Sequence, residues 1–359
     1  MKNNFFGKIA IIGDGITAKL AAIMFKNLKI EPVLIANERK NKSVSHATIS
    51  ISNNTANILE QNGIQVIKKA NPVHAIKLYE YKYSGREDVI FYNKTEKQPL
   101  SYIILKSDLD KILDLSLNKE IKILKTKPHD SSLTLNTISS PNKKLKWNYR
   151  EKAFTFLISH SKILNFCARQ IFLEEGPIAF LPLNSNTTSV VFSINEKSEL
   201  IKTLSDKKVL EKYLSKNFEF IKNIKVFSGV ESYDLKFQFL NSTFKNNEIY
   251  VGDIAHRIHP IAGQGWNMTV RDINNLTKIY KSKIKYGYKL NDYSILKEFD
   301  KKSKLNNFVF ASSIDLIRRS FKFKNKNLSK GRKNFFNGLD TLPELKRELI
   351  KVADKGLNF

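Results

Sequence analysis

The stretch Ile249 to Asp272, IYVGDIAHRIHPIAGQGWNMTVRD, decides how the rest of the chain is read. A short β-type run, Ile249-Tyr250-Val251, stops at Gly252-Asp253. A loop carrying Pro260, Gly263 and Gly265 then leads into Met268, Val270, Ile273, Leu276 and Ile279, apolar positions at helical spacing. The pattern is strand, turn, loop, helix. A carboxylate at the carboxyl end of a strand suits hydrogen bonds from a polyol, which makes Asp253 the candidate for such a group. Glycines let backbone N–H groups come close to a flat ligand. A helix beginning near Gly265 turns its free N–H groups and positive dipole end toward the loop, favouring an anion or an electron-rich carbonyl there.

Working outward, the N-terminus supplies a second anchor. Lys8 to Ile12 (KIAII) reads as a buried strand, Gly13-Asp14-Gly15-Ile16-Thr17-Ala18 as a turn, and Ala21, Ala22, Met24 and Phe25 as a helix, before a second strand from Pro32 to Ile35. In this GxGxxA pattern Gly13 permits the tight turn, Gly15 lets a pyrophosphate approach the backbone, and Ala18 keeps the helix close to the sheet. The acid that would hold an adenosine ribose falls at Ala36, with Asn37 and Glu38 next. Taken with the Asp253 stretch, the turn points to a dinucleotide with a polyol chain. Reduced flavin, negative over N1 and the adjacent carbonyl, meets the requirement at Gly265.

Gly252-Asp253, Ala255-His256, His259-Pro260, Ala262-Gly263-Gln264-Gly265, Asn267 and Arg271-Asp272 resemble the second flavin motif of the aromatic-ring hydroxylases, in particular the ubiquinone-biosynthesis branch. The resemblance implies an α/β protein: a Rossmann-type FAD-binding domain with an inserted mixed β-sheet substrate domain and a C-terminal helical region. It places FAD against Gly13, Gly15, Ile16, Thr17, Ala18, Asp253, Pro260, Gly263, Gln264, Gly265, Trp266 and Asn267. It places the substrate near Pro182, Leu183 and His259. The activity implied is FAD-dependent monooxygenation of a prenylated phenol by O2 through a flavin C4a-hydroperoxide, with NAD(P)H or another external donor supplying electrons. Two departures bear on this: His46-Ala47 stands where an arginine is common, and Leu135 to Ser140 (LNTISS) replaces an Asp-Gly motif linked to nicotinamide. They keep two alternatives open, a flavin reductase or dehydrogenase of the same fold and a non-catalytic scaffold of a quinone-synthesis complex.

The implied division of the chain is 1–75, 101–147 and 246–300 for the FAD-binding domain, 76–100 and 148–245 for the substrate domain, and 301–359 for the helical tail. Gly176 to Leu183, the turn Asn184-Ser185-Asn186 and Ser189 to Ile194 read as a hairpin, with Phe180 and Leu181 equally suited to core or substrate contact. Asp108 is the expected start of a helix, and Leu200 to Phe220 reads as mostly helical. No Ser/His/Asp or Cys/His arrangement appears, so no catalytic side chain is named. His256 and His259, without a nearby Cys or third His, read as loop-packing groups and not metal ligands.

Composition bounds the class. The 359 residues are 42% apolar and 11% aromatic, enough for a sizeable core, and the single cysteine, Cys167, excludes an internal disulfide. Runs such as IAII (9–12) and IAFLPL (178–183) are too short to span a bilayer, and Lys2-Asn3-Asn4 is no signal core, so the expected location is cytoplasmic or peripheral on the inner (cytoplasmic) membrane. With 61 Lys+Arg against 34 Asp+Glu the net charge is +27, but no nucleic-acid motif accompanies it. The tail interleaves Arg318, Arg319, Lys322, Lys324, Lys330, Arg332 and Lys333 with Phe321, Phe323, Phe335 and Phe336, which suits an anionic membrane surface. Lipid-handling partner proteins, a homo-oligomer or a quinone-synthesis complex are the other partners implied.

Overall fold

The computed structural model describes residues 6–36, 45–81, 89–92, 98–117, 121–322 and 343–356. The chain begins with β1 (Lys8–Ile12), α1 (Ile16–Asn27) and β2 (Glu31–Ile35), a βαβ unit whose two strands pair in parallel. Ile9, Ala10 and Ile11 are fully buried, as expected for a strand covered on both faces. There follow β3 (Thr48–Ser52), α2 (Asn53–Gln61), β4 (Asn71–Val73), β5 (Ala75–Tyr81), β6 (Val89–Tyr92), β7 (Ser101–Leu105), α3 (Lys106–Ser116), β8 (Lys122–Leu124) and β9 (Leu133–Asn136). The second half holds β10 (Lys144–Ser159), β11 (Cys167–Leu173), β12 (Pro177–Asn184), β13 (Thr187–Asn195), α4 (Leu200–Ser205), α5 (Lys207–Asn217), β14 (Lys225–Val226) and β15 (Glu231–Leu240). The chain continues through β16 (Phe244–Lys245), β17 (Glu248–Tyr250), β18 (His256–Arg257), α6 (Gly265–Ile284), α7 (Tyr293–Lys322) and α8 (Pro343–Lys355).

Three sheets result. The first has the order β16-β17-β9-β1-β2-β8 and is parallel from β17 to β8, so strands from opposite ends of the sequence lie one strand apart. The second is a large mixed sheet, β18-β15-β10-β13-β12-β11-β5-β6, with β14 alongside β10. The third, β3-β7-β4, lies between them in sequence. Along β10 the side chains alternate: Phe154, Phe156 and Ile158 join the core under α4 and α5, whereas Ala153 joins a cluster that takes in Val191 and Ile261 of the loop before α6. One face of the mixed sheet is therefore its own core. The other faces the domain built on the first sheet.

Several local expectations shift. The first turn of α1 already includes Ile16, Thr17 and Ala18, so the N-terminal turn is only Gly13 to Gly15. Helix α3 starts at Lys106, and Asp108 sits in its first turn, where a carboxylate favours the helix dipole. The segment Leu200 to Phe220 is two helices, because the Asp206 carboxylate accepts from Lys208 N and Val209 N and starts α5 afresh. Phe180 is core, edge-on to Phe218 and Phe220, while Leu181 and Leu183 pack on the opposite face with Val73, Ile103 and Ala168. Lys19, 2% exposed, is held by Asp110 at 2.5 Å and Asp114 at 2.8 Å, joining α1 to α3. Cys167 is half-buried, its thiol donating to Ala168 O at 3.5 Å.

The turn after β1 leaves no room for a side chain. Gly13 has φ +132°, and a Cβ there would lie 2.2 Å from Thr137 Oγ1, which donates to Ile12 O at 2.9 Å. Gly13→Ala should lower unfolding stability by about 1–3 kcal/mol, read as a shifted urea midpoint. An unchanged midpoint would show that the turn accepts a side chain.

Candidate flavin site

The two glycine motifs meet at the carboxyl edge of the parallel sheet. Gly252, directly after β17, has φ +84°, and a Cβ on it would stand 3.1 Å from Thr17 Cγ2 in the first turn of α1. Only glycine allows that approach, and through it the Asp253 turn rests on the N-terminus of α1. At that N-terminus Gly15 is the capping residue, no side chain caps the free N–H groups, and nothing lies within 4 Å of where its Cβ would be. The same holds at α6: Gln264 precedes the helix without a side-chain cap, and the space beside Gly265 is open. Two uncapped N-termini therefore flank Asp253, whose carboxylate is 70% exposed with Arg257 Nη2 at 3.6 Å. Donors for a pyrophosphate, a carboxylate for a polyol, and a dipole with open space for a ring occur in the order that FAD needs, so the residues present fit the group.

The loop between Asp253 and α6 is built by local constraints. A 3-10 turn at Gly252–Ile254 is followed by β18 and a second 3-10 turn at Pro260–Ala262, after which Gly263 adopts φ +60°. A Cβ on Gly263 would lie 2.9 Å from Ser50 Cβ, so the loop presses on β3. Asn267 is fully buried: its Nδ2 donates to Ser50 O at 2.9 Å and Gly263 O at 3.2 Å, and its Oδ1 accepts from Ser52 N at 3.0 Å. Its side chain thus fastens the loop to β3. Trp266 packs on the core of the first domain, and its Nε1 and Gln264 Oε1 are buried without a protein partner.

Other expected positions fall as follows. Ile16 and Ala18 are buried against the sheet, and Pro182 is buried at the end of β12 beside the half-buried Leu183. Asn136 ends β9; its Oδ1 accepts from Ile138 N and Ser139 N, and its Nδ2 donates to Glu248, so it shapes the loop that stands in for an Asp-Gly motif. His46, in place of the arginine, donates its backbone N–H to Glu231 of β15 at 2.5 Å, and Ser45 Oγ donates to the same carboxylate at 3.0 Å. Asn37 and Glu38 lie outside the described residues, as do 323–342 of the basic tail.

Both histidines pack within the protein, and His259 is placed differently from its substrate-contact reading. His256 Nε2 pairs with Asp272 at 2.7 Å, and Asn307 donates to both oxygens of that carboxylate. His259 is 1% exposed and accepts at Nδ1 from Ile261 N at 3.3 Å, so Nε2 carries the proton that it donates to Glu151 at 3.3 Å. Burial holds the imidazole pKa down. Both ring nitrogens are used within the protein, which makes His259 a brace for the loop and leaves no free nitrogen for a substrate. Arg318 is likewise internal and not a membrane-facing cation: its Nη2 reaches Glu151 Oε1 at 2.5 Å and its guanidinium covers the Tyr149 ring at 4.1 Å. Arg319, half-exposed, pairs with Asp315.

Glu151 carried no motif signal, Asp272 was legible only as the end of the motif and Arg318 only as a tail cation, because the pairing of Glu151 with Arg318 and of Asp272 with Asn307 joins separate segments. Burial would push the Glu151 carboxyl up, but the hydrogen bonds from His259 and Arg318 prevail and hold it at about 2. A depressed carboxylate contributes stability above its ordinary value near 4.5 and loses it as the pH falls through the folded value. Wild-type unfolding free energy should therefore fall by roughly 3 kcal/mol from this group between those limits, and Glu151→Gln should flatten that part of the profile. Parallel pH profiles of the two proteins would count against the assignment.

Residues 130–285 match the family model described as FAD binding domain. The chain is 28% identical over 216 residues to the mitochondrial ubiquinone biosynthesis monooxygenase COQ6 of Dictyostelium discoideum, covering 51% of this chain and 43% of that protein. It is 26% identical over 209 residues to the 3-demethoxyubiquinol 3-hydroxylase of Escherichia coli (strain K12), covering 58% and 53%. The chain thus spans about half the length of the curated relatives it matches. Among solved structures, p-nitrophenol 4-monooxygenase PnpA from Pseudomonas putida DLL-E4 superposes with a TM-score of 0.80 at 13% identity, over 99% of both chains. Klebsiella pneumoniae HpxO, complexed with FAD and uric acid, gives 0.74 at 13% identity, over 98% of this chain and 97% of that one. The chain thus resembles ubiquinone-biosynthesis hydroxylases over about half its length, matches the FAD binding domain model over residues 130–285, and has the fold of the flavoprotein monooxygenases.

Proposed function

We propose that this chain is an FAD-dependent monooxygenase that hydroxylates the aromatic ring of a prenylated phenol in ubiquinone biosynthesis. The observation that carries the reading is the pair of uncapped helix N-termini at Gly15 and Gly265 with the exposed Asp253 carboxylate between them. The α1 N–H groups beside Gly15 hold the pyrophosphate, Asp253 the ribityl hydroxyls, and the backbone from Pro260 to Gly265 borders the ring. The N-terminus of α6 stabilises negative charge on the reduced ring, where preorganised dipoles act without reorganising. Once reduced by NAD(P)H or another donor, bound FAD supplies the activation of O2 that puts one oxygen atom into the ring. The face of the mixed sheet carrying Ala153 and Val191, packed on Ile261, excludes water from the loop.

No described helix is long and apolar enough to cross a membrane. A prenylated substrate then reaches the site from a bilayer surface or a lipid-handling partner, and the basic, aromatic stretch at 319–336 is the segment suited to an anionic surface.

The purified protein should carry flavin absorbance. Asp253→Ala should weaken FAD binding roughly ten- to hundredfold, the equivalent of about 1.5–3 kcal/mol of charge-assisted hydrogen bonds. Gly15→Val should abolish binding by filling the pyrophosphate's place while leaving the chain folded. Substrate-dependent O2 uptake with a product heavier by one oxygen atom would identify a hydroxylase, whereas substrate turnover without oxygen insertion would identify a reductase or dehydrogenase. A folded, colourless protein unable to take up FAD would refute the proposal.

A further inference from the structure

The flavin loop is braced from behind by a buried charge cluster drawn from three remote segments. His259 stands immediately before the 3-10 turn Pro260–Ala262 and caps it through Nδ1, which accepts from Ile261 N. Its Nε2–H is directed to Glu151 Oε2 on β10, in the mixed sheet. Glu151 is in turn clamped by Arg318 near the end of α7, through Nη2 to Oε1 at 2.5 Å and Nε to Oε2 at 3.2 Å. The guanidinium lies over Tyr149 at 4.1 Å, and Tyr149 stands edge-on to His259 with ring centres 5.3 Å apart. Glu151, His259 and Arg318 are 9%, 1% and 8% exposed.

A fork on a carboxylate is stiff, because two parallel N–H···O bonds fix both position and plane. With both Glu151 oxygens engaged by Arg318, the carboxylate offers His259 a single direction, and that direction selects the Nε2–H tautomer. The opposite tautomer would place a proton on Nδ1 facing the Ile261 N–H, and the cap of the turn would be lost. The plane of the imidazole, and with it the backbone leading to Gly263 and Gly265, is therefore set from outside the flavin domain. We propose that Arg318 and Glu151 are positioning residues for the flavin site, acting through His259 to hold the loop Pro260–Gly265 in its ligand-binding conformation, so that helix α7 is a working part of that site. The inference rests on the FAD reading, and it adds residues which no flavin motif contains.

The test is FAD titration of the full-length apoprotein, with the visible spectrum of bound flavin and the thermal midpoint recorded on the same samples. In Glu151→Leu/Arg318→Met the buried pair is exchanged for apolar groups of similar size, a change that commonly preserves folding while leaving Nε2 of His259 without an acceptor. This double variant should remain folded with a modestly lowered midpoint yet bind FAD about tenfold more weakly, with a shifted flavin spectrum. Arg318→Lys, which keeps the charge but not the fork, should show a smaller change of the same sign. It supplies the answer if the double variant does not fold. Wild-type affinity and spectrum in a folded variant of either kind would overturn the positioning role while leaving the FAD reading intact. Failure of the wild-type protein to bind FAD would overturn both.

Discussion

The contact of Gly252 with Thr17 is the constraint on which the site depends. It joins a turn from late in the sequence to the first helix, and a Cβ at 252 would stand 3.1 Å from the Thr17 methyl. The contact exists because β1, β9 and β17 are neighbours in one parallel sheet, so the turns after β1 and β17 emerge on the same edge. Neither turn alone is a dinucleotide site. One provides uncapped N–H groups and the other an exposed carboxylate, and the topology makes them adjacent.

A second tier of contacts holds the ring-bordering loop against its surroundings. Asn267 fastens it to β3, Gly263 presses on Ser50, and His259 ties it to β10 and α7. Asn267 and His259 are buried, where a lost hydrogen bond leaves an unsatisfied group and costs about 1–3 kcal/mol, so the loop cannot move without breaking several at once. That stiffness is what electrostatic stabilisation of a reduced flavin requires, since dipoles that reorganise lose their advantage. The mixed sheet takes part directly: Glu151 braces the loop after β18, and Glu231 holds Ser45 and His46 at the entrance to β3.

The fold and the glycine turns at the sheet edge are legible in the sequence. Lys8–Ile12 forms the central strand because an unbroken apolar run is what a strand buried on both faces needs. Gly13, Gly15, Gly252, Gly263 and Asp253 announce themselves because each meets a local demand, a positive φ, a close approach or a carboxylate at a strand end, and local demands restrict residue type. The alternation in β10 and β12 likewise separates Phe180 from Leu181, though which side faces the flavin domain is not encoded in the strand.

What tertiary structure alone decides is the partnership of charges. His256 and His259 look alike in the chain, yet one binds Asp272, itself held by Asn307 of α7, and the other binds Glu151, held by Arg318 of the same helix. Arg318 reads as one of a run of surface cations, and its burial on Glu151 follows from where α7 packs across the mixed sheet. Asn267 reads as a residue facing the cofactor, and its side chain is turned to β3 instead. A charged or amide side chain carries no mark of its partner, because pairing depends on distances between segments far apart in sequence. The sequence by itself therefore determined the architecture and the glycine and carboxylate framework of the candidate site, and the packing of the sheets and helices decided which polar side chains pair with one another to hold the loop in place.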